Sequence, residues 1–92
     1  MLAPIVTTEQ FDKDAASLKP HYPRIDDVVS GVCWGLIHEP YAGEPVPGHD
    51  NRYIYLTSPV EYVTPIFRVL YKFSDSNPRT IVLLAIGSTT DD

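Results

Sequence analysis

Hydrophobic residues in the first half of the chain repeat with helical spacing in two segments. In the first segment, an apolar stripe from Phe11 to Leu18 predicts a helix, and the charged residues 12–14 are expected to point away from that stripe. Thr7 or Thr8 is a suitable N-cap, and Pro20 is expected to end the helix because proline cannot continue the hydrogen-bond pattern.

The second helical segment begins at Ile25 and is expected to end before Pro40. Gly31 and Gly35 are four residues apart, so they share a face that would let another element approach closely. Two consecutive helices with one apolar stripe each predict a helical hairpin that needs a flat surface to pack on. The stripe of the second helix consists of Ile25, Val28, Val29, Val32, Leu36 and Ile37.

The second half of the chain changes to the pattern of β-strands. Arg52–Leu56 predicts one strand, and Ile66–Phe73 predicts another in which alternate residues from Phe67 onward face the core and the charges face away. Thr80–Ile86 is almost continuously apolar, which is typical of a central strand covered on both sides. We expect these last two strands to pair, and Ile5–Val6 to form a short edge strand or an extended arm. The predicted fold class is α+β, with an N-terminal helical hairpin packed on a C-terminal antiparallel β-sheet.

The connections are predicted from proline, glycine and small polar residues. Pro40–Asn51 contains three prolines and two glycines and is interpreted as a loop. Thr57–Pro65 is a second connection with a partly extended segment at Val60–Val63, and Ser74–Pro78 is a turn by composition. The chain of 92 residues is expected to form a single domain, with a polar tail over residues 88–92.

Composition narrows the classes of function. Cys33 is the only cysteine, which excludes an intramolecular disulfide and a zinc site built from thiolates. No motif for a metal or a cofactor is present, so none is expected. The N-terminus has no basic segment and no long apolar run, and no apolar stretch is long enough to cross a bilayer. A cytoplasmic location without membrane contact is therefore expected.

The charge of the chain argues against a general nucleic-acid binder. The formal net charge is −5, whereas such proteins usually carry a basic surface. Three basic residues nevertheless lie between positions 52 and 72, and they could form a local basic face on an acidic body. These residues are Arg52, Arg68 and Lys72.

The order of the predicted elements, together with four short motifs, resembles the RelE/ParE superfamily, the toxin component of bacterial toxin–antitoxin pairs. The motifs are Phe11-Asp12-Lys13-Asp14 followed by Leu18, the loop Pro40–Gly48, the strand Phe67–Tyr71 and the closing strand Ile81–Gly87. The resemblance implies an antitoxin protein as the partner. It implies either ribosome-bound mRNA or DNA gyrase as the target, since some members of the superfamily cut mRNA and others poison gyrase.

The resemblance also implies roles for individual residues. Arg68 is the one position that matches, namely the strand arginine that would contact the scissile phosphate. Independently of the resemblance, Arg52 and Lys72 are candidate substrate contacts from the local basic face, and His49 from a loop that would approach the sheet. Where the family commonly places an arginine or histidine and then a tyrosine, this chain has the polar tail of residues 88–92. A protein-binding module on the same fold, without toxin activity, therefore stays open as the alternative function.

Three further residues are assigned from their positions in the predicted elements. Tyr71 falls on the core face of its strand, so packing is its expected role. Cys33 has no visible activating base and is interpreted as an apolar filler in the second helix. Trp34 lies off the main stripe of that helix, where it would either join the helix–helix seam or anchor an interface.

Overall fold

Two helices lie against one face of a five-stranded sheet in the computed structural model, which describes residues 4–57, 66–74 and 80–88. The strands are ordered β1-β5-β4-β3-β2 across the sheet. The α+β class and the helical hairpin on a mostly antiparallel sheet are confirmed. In chain order the elements are β1 (Ile5–Thr7), α1 (Glu9–Leu18), α2 (Ile25–His38), β2 (Glu44–Pro45), β3 (Tyr53–Leu56), β4 (Phe67–Phe73) and β5 (Ile81–Ser88).

The boundaries differ from the predicted ones in several places. β5 continues to Ser88, so the polar tail starts later than expected, and β2 lies inside a segment that was interpreted as a loop. β1 is an edge strand, as expected for Ile5–Val6, and it pairs with β5 in parallel, with Ile5 opposite Ile81, whereas the other strand pairs are antiparallel. The expected extended segment Val60–Val63, most of the turn after Ser74 and the rest of the tail lie outside the described residues.

The core lies between the helices and the sheet. The side chains on the helix-facing side of β4 are buried, as the alternation predicted, and they pack against the apolar stripes of both helices. Burial of apolar surface of this kind is the main favourable contribution to folding. The buried side chains are Phe11, Ile25, Val32, Leu36, Phe67, Val69, Tyr71, Phe73, Ile81, Leu83 and Ile86.

A β-bulge interrupts the alternation of β5. The register shifts where Leu70 pairs with Ala85 but Tyr71 pairs with Leu83, so Leu84 is an extra residue. The bulge lets Leu83 and Ile86, three residues apart, both become buried. Both helices contribute their buried residues to the same side of the sheet, so among the described residues neither helix covers the other side of this strand.

The side chains of Thr8, the N-cap of α1, and of Asp14, inside α1, form hydrogen bonds with the bulged part of β5. The Thr8 hydroxyl caps α1 by accepting a hydrogen bond from the Phe11 N–H at 3.1 Å, and it lies 3.1 Å from the Leu83 carbonyl. A carboxylate oxygen of Asp14 accepts a hydrogen bond from the Ile86 N–H at 3.2 Å. The prediction of a threonine cap is confirmed. The prediction that Asp14 points away from the apolar stripe is wrong, since its carboxylate accepts a hydrogen bond from a backbone N–H of β5 beside the bulge.

The two glycines of α2 differ in their surroundings. A Cβ atom added to Gly35 would lie 2.8 Å from the hydroxyl oxygen of Tyr55, so the expected close approach occurs at this position. A Cβ atom added to Gly31 would meet nothing within 4 Å. The expectation of a close approach is therefore confirmed for Gly35 and wrong for Gly31.

Candidate functional site on the open sheet face

Both helices lie on one face of the sheet. The opposite face of β3, β4 and β5 is covered by neither helix, and we call it the open face. Strand alternation places Arg68, Leu70 and Lys72 on it, because Phe67, Val69, Tyr71 and Phe73 are buried against the helices. Cross-strand pairing puts Leu56 and Gly87 opposite Arg68, and Ile54 and Ala85 opposite Leu70. The open face therefore has an apolar centre with cationic residues along β4.

Two depressions on the open face meet at Arg68. The first, here called the loop cleft, has a volume of about 430 Å³ between β3 and the segment 42–47. The second, called the strand cleft, has a volume of about 300 Å³ over β4 and β5. Arg68 and Ile54 line both clefts. The loop cleft is completed by Ala42, Glu44, Pro45, Val46, Pro47 and Leu56, and the strand cleft by Leu70, Ala85, Ile86 and Gly87.

Charge is distributed unequally between the two sides of the fold. Residues 9–38, which form the helical layer, contain five carboxylates and three cations. Each of these cations pairs with a neighbouring carboxylate: Lys13 with Glu9 at 3.1 Å, Lys19 with Asp26 at 2.8 Å and Arg24 with Asp27 at 3.2 Å. Arg68 is exposed and pairs with no carboxylate of the described residues. Its guanidinium is thus available to an anionic ligand.

Glu44 shares the loop cleft with Arg68, although it is not among the site residues predicted from the sequence. β2 pairs with β3, and Glu44 lies opposite Ile54, which brings this carboxylate to the open face. Glu44 and Arg68 do not form an ion pair with each other. A signal for this residue was present in the sequence, since Glu44 is the only charged side chain between Pro40 and Gly48.

The wall of the loop cleft is fixed to the core by a buried tyrosine. The Tyr71 hydroxyl donates a hydrogen bond to the Pro40 carbonyl at 2.8 Å and accepts one from the Gly43 N–H at 3.0 Å. Burial raises the pKa of Tyr71, which keeps the hydroxyl protonated as a donor. A Cβ atom at Gly43 would lie 2.7 Å from the Tyr71 hydroxyl oxygen and 2.8 Å from the Ile54 carbonyl oxygen, so only glycine fits here without a shift.

Tyr71→Phe is expected to destabilise the fold by about 1–3 kcal/mol, because it removes one hydroxyl and leaves the Pro40 carbonyl and the Gly43 N–H without their partner. The aromatic packing is retained, so the sheet should stay intact. Urea denaturation followed by far-ultraviolet circular dichroism measures the change. Tyr41→Phe is the control, because Tyr41 is exposed and the same substitution there should leave the midpoint unchanged. Equal midpoints for Tyr71→Phe and the wild type would contradict this anchoring role.

The other predicted substrate contacts lie at different distances from the clefts. Continuing the β3–β4 register by one residue puts Arg52 opposite Lys72, at the end of the open face away from Arg68. Two hydrogen bonds of the Asn51 side chain support this register. Its Nδ2 donates to the Phe73 carbonyl at 2.6 Å, and its Oδ1 accepts from the Phe73 N–H at 3.1 Å. His49 is exposed in the turn between β2 and β3 and lines neither cleft. The structure thus puts Arg52, Lys72 and Arg68 on one face and leaves His49 outside the clefts.

Residues of α2 stand apart from the open face. Cys33 is half-buried against the core, and burial raises the pKa of its thiol, which disfavours the reactive thiolate. Trp34 is 67% exposed, and its ring centroid lies 4.2 Å from that of His38. The described part of the chain contains no group of three histidine, cysteine or acidic side chains that could hold a metal ion. Within the same residues, no helix has the length and apolar character needed to span a bilayer.

Comparisons with known proteins agree on the architecture. The sequence matches no protein-family model and no curated protein. A chain in the crystal structure of the toxin–antitoxin complex RelBE2 from Mycobacterium tuberculosis superposes with a TM-score of 0.72 at 20% identity, covering 96% of this chain and 99% of that chain. A mutant of the E. coli toxin RelE in the free state gives a TM-score of 0.66 at 13% identity, covering 96% of this chain and 84% of that one. Together with the helical hairpin and the open sheet face, these matches show that the chain has the fold of the RelE toxins.

Proposed function

We propose that this chain is the toxin-like component of a toxin–antitoxin pair and that its open face binds and cleaves mRNA during translation. The observation that carries the proposal is the loop cleft, in which an exposed guanidinium and a carboxylate face the same space without pairing with each other. That arrangement leaves room for a phosphodiester between Arg68 and Glu44.

The residue types suit cleavage by internal attack. Glu44 would accept the proton of the ribose 2′-hydroxyl, and the resulting oxygen would attack the adjacent phosphorus. Arg68 would donate hydrogen bonds to the non-bridging oxygens, where negative charge builds up in the transition state. The bond from phosphorus to the 5′-oxygen then breaks, and that oxygen takes a proton from water. The products are a 2′,3′-cyclic phosphate and a 5′-hydroxyl end.

The charge distribution supports RNA as the ligand in spite of the net negative charge. The helical layer is acidic, and each of its three cations pairs with a carboxylate. Strand alternation places Arg68 and Lys72 on the open face, and the β3–β4 register continued by one residue adds Arg52. A nucleic acid would therefore be attracted to one side of the molecule and repelled from the other. For the same reason the formal charge of −5 does not argue against an RNA substrate.

An antitoxin is the proposed protein partner. The similar RelBE2 chain was solved within a toxin–antitoxin complex, which supports a partner of the same kind for this protein. Such a toxin should slow bacterial growth when expressed alone, and normal growth at high expression would contradict the toxin assignment.

A protein-binding module without catalytic activity is the second candidate. The observation that favours it is the apolar lining of both clefts, in which Arg68 and Glu44 are the only charged side chains among the residues that the structure describes. A DNA gyrase toxin would likewise use the surface for a protein contact. Both readings expect intact mRNA in a cleavage assay, which separates them from the proposed function.

Cleavage of a defined mRNA on translating ribosomes tests the proposal directly. The purified wild-type chain is expected to give discrete products with 5′-hydroxyl ends. Glu44→Gln should lower the cleavage rate by about 10²–10⁴-fold, the usual contribution of a general base. Glu9→Gln is a matched control, because Glu9 is an exposed residue of the helical layer. Intact mRNA with the wild-type chain, together with inhibited DNA supercoiling by gyrase, would overturn RNA cleavage in favour of the gyrase target.

A further inference from the structure

We infer that the loop cleft and the strand cleft receive the two nucleosides on either side of the phosphate bound at Arg68. This inference rests on the proposed function and adds two binding subsites to it. The observation behind it is the position of Arg68, which lines both clefts and lies where they meet.

A single-stranded RNA has the repeating chemistry that this surface fits. Each phosphate lies between two nucleosides whose bases have flat, apolar faces, and proteins that bind unpaired RNA receive such bases on apolar or aromatic side chains. The volumes of about 430 and 300 Å³ lie at the lower end of the range for small-molecule sites, about 300–1,000 Å³. Each cleft is lined mainly by apolar side chains, and the shared guanidinium lies where the anion between them would be.

The strand cleft depends on the absence of a side chain at Gly87. This residue pairs directly with Arg68 across β4 and β5, so a larger residue there would occupy the space beside the guanidinium. A Cβ atom added to Gly87 would meet nothing within 4 Å, so the protein itself does not require glycine at this position. Glycine inside a strand lowers stability, and it often marks a place where a ligand approaches the backbone closely.

The same features favour RNA over a peptide as the occupant of the clefts. A peptide would supply an anion between the two clefts only where an acidic side chain happened to lie at that point of its sequence. RNA supplies one at every nucleotide, and Lys72 and Arg52 extend the basic character along the same face. An RNA strand bound at Arg68 would therefore extend along β4 toward Lys72 and Arg52.

The test is a substitution at Gly87 that puts a side chain into the strand cleft, followed by a measurement of RNA binding by the full chain. The probe is a short fluorescein-labelled RNA with 2′-O-methyl groups, which cannot be cleaved by attack of the 2′-oxygen, and binding is followed by fluorescence anisotropy. Gly87→Leu is expected to weaken binding by at least about tenfold, the loss that corresponds to removing one base contact. Gly31→Leu is the matched control, because Gly31 also has open space around it but lies on the exposed surface of α2. It should bind like the wild type.

The outcomes separate the inference from the function on which it rests. A Gly87→Leu protein that binds as tightly as the wild type would overturn the subsites, whereas the proposed function would stand if Arg68→Ala still lost binding. A wild-type chain that does not bind the probe would also overturn the subsites, whereas the proposed function is decided separately by cleavage of mRNA on translating ribosomes. Thermal unfolding is measured in parallel, and Gly87→Leu should remain folded, since a Cβ atom at this position meets nothing within 4 Å. Gly87→Ser, which fills less of the cleft, should show a smaller loss of RNA affinity. If the leucine variant does not fold, the affinity of Gly87→Ser decides whether the strand cleft binds RNA.

Discussion

Arg68→Ala is expected to lower the rate of mRNA cleavage by about 10²–10³-fold, the usual effect of removing one group that stabilises charge in the transition state. The guanidinium is exposed and lies where the two clefts meet. Because it pairs with no carboxylate of the described residues, its removal leaves no buried group without a partner. The free energy of unfolding should therefore change by less than about 0.5 kcal/mol. Ribosome-dependent cleavage assays and urea denaturation measure the two quantities.

Two further substitutions show whether the effect is specific to the position of Arg68. Arg24→Ala removes the same side chain from the helical layer, where it pairs with Asp27, and should leave cleavage unchanged. Arg68→Lys keeps the charge but loses the planar pair of donors that matches a phosphate, so its rate should fall between those of the wild type and Arg68→Ala. Full activity of Arg68→Ala would remove the guanidinium from the mechanism, and equal losses in both alanine variants would assign the effect to overall charge.

The elements that the sequence predicted well are those with a regular pattern and one clear environment. α1, α2 and β4 each present one apolar face, and the spacing of their apolar residues is enough to identify the face that is buried. β5 forms a strand as predicted, but a continuous apolar run does not show where a bulge interrupts the alternation of the strand. Only the pairing of β4 with β5 reveals the extra residue Leu84.

The candidate site was predictable in part, since Arg68 stands out on the polar side of an alternating strand. The pattern does not predict Glu44, because a two-residue strand that follows a glycine and ends in a proline has no periodicity to detect. The clefts were not predictable either, since they depend on which small residue pairs with which strand neighbour. Gly87 lies opposite Arg68 only in the register that the fold establishes. Such long-range pairings carry no signal in the local sequence.

Phe67→Ala is expected to lower the free energy of unfolding by about 3–5 kcal/mol, the range for removing a fully buried phenylalanine. Phe67 has no exposed surface, and its ring meets that of Tyr22 edge to face, with centroids 5.2 Å apart. Small domains have total stabilities of about 5–15 kcal/mol, so this loss is a large share of the whole. Urea denaturation followed by far-ultraviolet circular dichroism is the suitable measurement. Fluorescence of Trp34 is less informative, because that side chain is already 67% exposed in the folded state.

Trp34→Ala is the control for this loss, because it also removes an aromatic side chain but from an exposed position. Its cost should be about 1 kcal/mol or less, since the ring contacts His38 and leaves the core unchanged. A comparable loss in both variants would contradict a core in which the helices pack against Phe67. Because the open face is defined by the helices lying on the opposite side, that result would also remove the basis for placing Arg68 in an uncovered site. The stability of Phe67→Ala therefore tests the architecture on which the functional proposal depends.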